Sequence, residues 1–171
     1  MLKEKVEKAL NEQINAELYS AYLYQSMAAY FEDKSLAGFA RWMDLQVDEE
    51  MLHARKIYDF VNERGGRVIL GGIDKPKSDW NSNLEVFEDS LAHEEKITAM
   101  INDLVALADA EKDYATHSFL QWFVDEQVEE EDNVGEIVDK LRLAGDSTQS
   151  LFMMDDKLGA RIQAASAGEE E

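Results

Sequence analysis

Four stretches of this sequence carry an apolar stripe at helical spacing, and in each the stripe turns polar near its midpoint. Apolar residues recurring every three or four positions mark the buried face of a helix. The first stretch steps through Val6, Leu10, Gln13, Glu17, Ser20, Tyr24, Met27 and Phe31. The second runs Phe39, Met43, Gln46, Glu50, His53, Ile57, Phe60. The third runs Leu84, Phe87, Leu91, Glu94, Thr98, Ile101, Val105, and the fourth Phe119, Phe123, Gln127, Glu130, Val134, Ile137, Leu141. The polar interruptions all fall within about three residues of their helix centres, an axial offset under about 5 Å at 1.5 Å per residue. Central groups meet at one level whether a helix runs up or down. The chain is therefore expected to form an all-α bundle with apolar ends and an acidic waist.

Punctuation sets the helix limits. The first helix is expected from Lys3 to Asp33, and Ser35 is a candidate N-cap for the second, which stops at Gly65-Gly66. The stretch 65–81 holds Gly71, Gly72 and the only proline, Pro76, and reads as a long connection. Ser82 and Glu85 form a capping-box pattern for a third helix reaching about Lys112. Asp113 caps a fourth to Ala144, Gly145 breaks it, and Asp146 with Gln149 opens a short fifth helix to about Leu158. About 17 extended residues span over 50 Å, more than the roughly 40 Å of a 27-residue helix. Helices two and three can thus run parallel. The expected topology is a four-helix bundle, up-down-down-up, with one long crossover between helices two and three and a short fifth C-terminal helix. It occupies 1–160 as one domain, followed by an acidic, flexible tail over 161–171.

With 37 acidic against 17 basic residues, the net charge is −20. Such a chain repels nucleic acid and anionic membranes and attracts cations, and it has no basic stripe for nucleic acid. Neither is expected as a partner. Cysteine is absent, which excludes disulfides, thiolate metal sites, iron–sulfur clusters and thiol catalysis. The N-terminal MLKEKVEKALNEQ is charged and amphipathic, without an apolar signal core. No segment approaches the roughly 18 apolar residues of a membrane span. The expected location is cytoplasmic.

Unpaired buried carboxylates cost several kcal/mol each, and four at one level repel one another unless protonated or neutralised. A multivalent cation resolves the conflict. Carboxylate oxygens with one imidazole suit iron, manganese or zinc, and Glu50 and His53, three apart, project from one helix face. Two metals bridged by a carboxylate would use the whole set. Any one of these residues taken alone reads equally as a protonated or salt-bridged core glutamate.

Four motifs carry a resemblance: QINAELYSAYLY (Gln13 to Tyr24), DEEMLH (Asp48 to His53), HEEKIT (His93 to Thr98) and FLQWFVDEQVEEE (Phe119 to Glu131). Together they resemble the non-haem ferritins of archaea and bacteria, with similarity from about Leu2 to Leu158. The resemblance implies a ferritin-like fold in which Glu17, Glu50 and His53 hold one iron. Glu50 then bridges to a second, completed by Glu94 and Glu130, with Gln127 beside it. It also implies a third iron position at Glu49, Glu126 and Glu129, shared with Glu130. Tyr24 would stand beside the irons as an electron donor, with Trp122 nearby. The implied activity is oxidation of Fe(II) by dioxygen or peroxide, with ferric mineral stored in a homo-oligomeric shell of 24 subunits. Bacterioferritins carry a second Glu-x-x-His where this chain has Gln127-x-x-Glu130. Met51 stands at their haem-methionine position, but other ferritins have a methionine there without haem, so no haem is expected. His93 and His117 match no ligand position and are expected at the surface or hydrogen-bonded. Another di-metal oxidase or peroxidase on the same scaffold, or a non-catalytic acidic helical module, are the competing readings.

Overall fold

The computed structural model describes residues 2–161, and among them every regular element is a helix. The elements are α1 (Glu4–Asp33), α2 (Ala37–Glu63), α3 (Asn83–Ala110), α4 (Tyr114–Ala144) and α5 (Thr148–Gly159). Three-residue connections fold α1 against α2 and α3 against α4, which leaves each pair antiparallel. On α1 and α3, Tyr24 meets Ser90 and Ser20 meets His93, so these two helices are antiparallel as well. On α2 and α4, Phe60 stacks on Phe119 and Arg64 bonds Asp113, while Gln46 reaches Glu130. Hence α2 and α3 run the same way, as the long crossover requires. The crossover climbs beside α1, pinned in order by Asn11 to the carbonyl of Arg67, Asn15 to that of Gly72 and Ser26 to that of Lys77.

The core has two halves. At one end Phe31, Phe39, Phe87, Trp42, Met27, Met43 and Val134 pack together. At the other, Val6, Leu10, Ile14, Ile57, Ile101, Leu120 and Phe123 do so. Each fully buried large side chain contributes about 1.5–3 kcal/mol. The acidic waist lies between the two halves.

Several local expectations change. Ser35 does not cap α2; it adopts a left-handed conformation, φ 59°, and the N-cap is Leu36, which is buried. Burial of Leu36 sets the turn, and Ser35 absorbs the bend. The N-terminus of α2 is instead served from α5, where Asp155 Oδ1 accepts from the Phe39 N–H at 3.0 Å. Ser82 accepts from the Glu85 N–H at 3.1 Å as expected, but Glu85 reaches back to Asn81 rather than Ser82. The cap of α5 is Ser147, not Asp146, and it accepts from Ser150. Helix α3 buries Phe87, Ser90, Glu94, Ile97, Ile101, Leu104 and Ala108. Of the expected stripe, Leu84, Leu91, Thr98 and Val105 are only partly buried and lie on its flank. Residues 162–171 of the expected tail lie outside the described residues, whereas Arg161 packs on α2.

Candidate metal centre

Five ionisable side chains from four helices converge at the waist. Glu17 of α1, Glu50 and His53 of α2, Glu94 of α3 and Glu130 of α4 are all buried. Glu17, Glu50 and His53 each offer a ligand atom within 4.8 Å of the others, and His53, Glu126 and Glu130 do the same. The His53 ring nitrogen Nδ1 stands 3.6 Å from Glu50 Oε2. Glu94 does not join either triplet. It is drawn aside by the Tyr24 hydroxyl, which donates to Oε1 at 2.5 Å, and by Gln127, whose amide lies 3.3 Å from Oε2.

Burial disfavours the charged form of all four waist carboxyls. Burial pushes the Glu17 carboxyl up to about 7. Burial, then the charge of Glu94, pushes Glu130 up to about 8. Glu50 is raised well above the carboxylate range by burial and by Glu94 and Glu17, and Glu94 is raised by burial. Burial lowers His53 to about 4, so the imidazole is neutral and free to coordinate. Glu17 Oε1 accepts from Gln13 at 2.7 Å, while Oε2 is buried with no N–H or hydroxyl donor. That oxygen has recourse only to a proton shared with Glu50 or to a cation.

Further out, Glu49 is half-buried and salt-bridged to Arg161 at 2.9 Å. Glu126 is half-buried, with its carboxyl raised by burial, then by Glu129 and Glu49. Glu129 is exposed. Tyr24 is fully buried against Glu94 and edge-on to Trp42. Trp122 is partly exposed; its ring lies edge-on to His53, with the Lys56 ammonium 4.2 Å above it. His93 is buried and bonded to Ser20 at 2.7 Å, and His117 pairs with Asp109 at 2.5 Å. Neither belongs to the centre, and Met51 is half exposed on α2.

Three contributors escaped the sequence reading. Gln13 and Gln46 appear in the stripes without a role, yet one donates to Glu17 and the other to Glu130 at 2.8 Å. Gln13 carried a signal, since it precedes Glu17 by one helical turn; Gln46 stands one turn before Glu50 but bonds Glu130 on α4, a contact no spacing encodes. The third is Arg161, which nothing local distinguishes.

Comparison with known proteins decides the family. A ferritin-like domain model matches residues 7–144. The chain belongs to the ferritin family. It is 45% identical to a bacterial non-heme ferritin of Staphylococcus saprophyticus, over 94% of this chain and 96% of that one. It is 46% identical to one from Bacteroides fragilis, over 94% of this chain and all of the other. Among solved structures, the open pore ferritin of the hyperthermophilic archaeon Archaeoglobus fulgidus superposes with a TM-score of 0.94. It is 51% identical, and the match covers 95% of this chain and 100% of that one. An engineered closed form of the same archaeal ferritin gives 0.95. The motifs at Gln13–Tyr24, Asp48–His53, His93–Thr98 and Phe119–Glu131 thus sit on the four bundle helices of a ferritin fold.

Proposed function

We propose that this chain is an iron-storage ferritin subunit whose waist is a ferroxidase site. Two Fe(II) ions enter as substrate. Glu17, Glu50 and His53 hold the first, and Glu50, Glu94 and Glu130 hold the second. Each ion gives up one electron; dioxygen accepts the two electrons with two protons and leaves as hydrogen peroxide. Peroxide is the alternative oxidant. Hard carboxylate oxygens favour Fe(III) over Fe(II), which assists the transfer. The protons held by the raised carboxyls are released as iron binds. Gln13 and Gln46 hold Glu17 and Glu130 from behind, leaving their other oxygens for metal, and Gln127 and Tyr24 orient Glu94. Tyr24 is buried with its hydroxyl on Glu94 and stands beside the pair, where it would replace one iron electron whenever only a single Fe(II) is bound as dioxygen is reduced to peroxide. Glu49, Glu126, Glu129 and Glu130 form a third cation position through which the ferric product passes toward an acidic interior. By analogy with the family, 24 such chains form the shell.

The observation that carries this reading is the buried, donorless oxygen of Glu17 on a carboxyl clustered with Glu50 and a neutral His53 imidazole. An anaerobic Fe(II) titration followed by air tests it. The expected result is about two tightly bound ions per chain and oxidation far faster than in buffer; loose binding or buffer-like oxidation would refute it. Gel filtration tests the shell. With a subunit mass of 19.5 kDa, the expected particle is roughly half a megadalton, whereas a monomer or dimer would favour another di-metal enzyme.

A further inference from the structure

Helix α5 delivers a cation to the edge of the metal centre. The helix is clamped along the first half of α2. Gly38 is so close to α5 that a Cβ there would lie 1.8 Å from the Asp155 carbonyl oxygen. Asp155 bonds the Phe39 N–H, and Gly159 lies against the backbone of Gly38. The next turn ends at Arg161, whose N–H donates to the Leu158 carbonyl at 3.1 Å. Its guanidinium is held on three sides by α2. Nη2 lies 3.1 and 2.9 Å from the two oxygens of Glu49, Nη1 donates to Gln46 Oε1, and the plane sits 5.0 Å from the Trp42 ring. Gln46 passes the contact on to Glu130.

We propose that Arg161 is a tethered competitor for the third cation position. This rests on the third position assigned above. Arg161 Nη2 spans both oxygens of Glu49, so a metal on that carboxylate would sit beside the guanidinium, and two cations on one carboxylate repel. An ion entering between Glu49, Glu126 and Glu130 must therefore displace Arg161. The guanidinium thus sets the affinity of the third position directly and reaches the inner pair only indirectly, through Gln46 and Glu130. Because Arg161 closes the last turn of α5, its displacement also loosens the end of that helix from α2.

Anaerobic calorimetric titration with Co(II) tests this on the assembled, metal-stripped protein. The parent should bind two ions tightly and a third more weakly. Arg161→Gln should tighten the third step on the order of tenfold, with a smaller change in the first two steps, and Arg161→Lys should return the third step toward the parent value. A third step equal or weaker in Arg161→Gln overturns the proposal. If parent and variant both stop at two ions, the competitor is overturned and the two-ion centre stands. If neither binds any ion, the centre falls with it. Hydrogen exchange over residues 155–161 gives an independent readout. Exchange in the parent should quicken on the third equivalent, and no change there also counts against displacement.

Discussion

Replacing Glu130 by glutamine should stabilise the metal-free protein, and should do so progressively as the pH rises. Glu130 is 3% exposed, and burial with the Glu94 charge pushes its carboxyl to about 8, from an ordinary 4.5. The folded chain therefore holds this proton more tightly than the unfolded chain. The stabilisation is fully present below about 4.5 and is lost as the pH climbs through 8. At about 1.4 kcal/mol per pKa unit, the parent forfeits about 3 kcal/mol between pH 5 and pH 8 through this one group. Glutamine at 130 imitates the neutral acid at every pH and can still accept from Gln46. The variant should be within about 1 kcal/mol of the parent at pH 5 and lead it by about 4 kcal/mol at pH 8. For a chain of this size that is a rise of roughly 10 °C in Tm.

The assay is thermal unfolding of metal-stripped parent and Glu130→Gln protein, scanned across that pH range. Subunit contacts and the other waist carboxyls are common to both proteins, so the difference isolates Glu130. His53, lowered to about 4, behaves in the opposite sense: its stabilisation is present above 6.5 and lost as pH falls through 4, again in both proteins. Added Zn(II) should reverse the order, because only the parent keeps the full ligand set. A stability gap that does not vary with pH, or a variant less stable at pH 8, would refute the claim that burial penalises the Glu130 carboxylate.

Other outcomes follow from the same geometry. At pH 6.5, loading two metal ions should release about two protons per chain or more, since Glu17 and Glu130 titrate near 7 and 8; calorimetry in buffers of differing ionisation enthalpy reads this, and zero release would contradict the raised carboxyls. Tyr24→Phe deletes the 2.5 Å donor that favours the Glu94 carboxylate, so metal affinity should fall several-fold, more as the pH is lowered, while the two-ion stoichiometry holds. Gly38→Ala forces a Cβ to 1.8 Å from the Asp155 carbonyl, which should lift α5 and cost about 1–3 kcal/mol, read as a lower Tm.

The waist was legible because it breaks the pattern that betrays it. Glu17, Glu50, Glu94 and Glu130 sit where the helical period demands apolar residues, and that conflict is visible without knowing any contact. Helix α3 was read less well for a related reason. Leu84, Leu91, Thr98 and Val105 form a second stripe beside the buried one, and the two share Phe87, Glu94 and Ile101; only packing selects between them. Ser35 was misread because a serine before a helix is a good cap in isolation, and the choice was made by burial of Leu36. Arg161 was illegible because its partner Glu49 lies 112 residues away, on a helix pair brought together by the glycines at 38 and 159. No periodicity encodes such a contact.

The split of the core explains why a charge layer is tolerated at all. Apolar packing above and below, from Phe31, Phe39 and Phe87 at one end to Leu10, Ile57 and Ile101 at the other, closes the bundle without help from the waist. The helices are thereby held in a register that the acidic groups alone would oppose. Burial raises the carboxyls of Glu17, Glu50, Glu94 and Glu130, so the repulsion among them is relieved by protons that bound cations can replace. A centre built this way is preorganised by its flanks and discharged by its ligands, so its affinity is drawn from the strain the fold already holds. Filling the waist with leucine would give a more stable bundle that binds nothing, and the cost of function here is the difference between those two proteins.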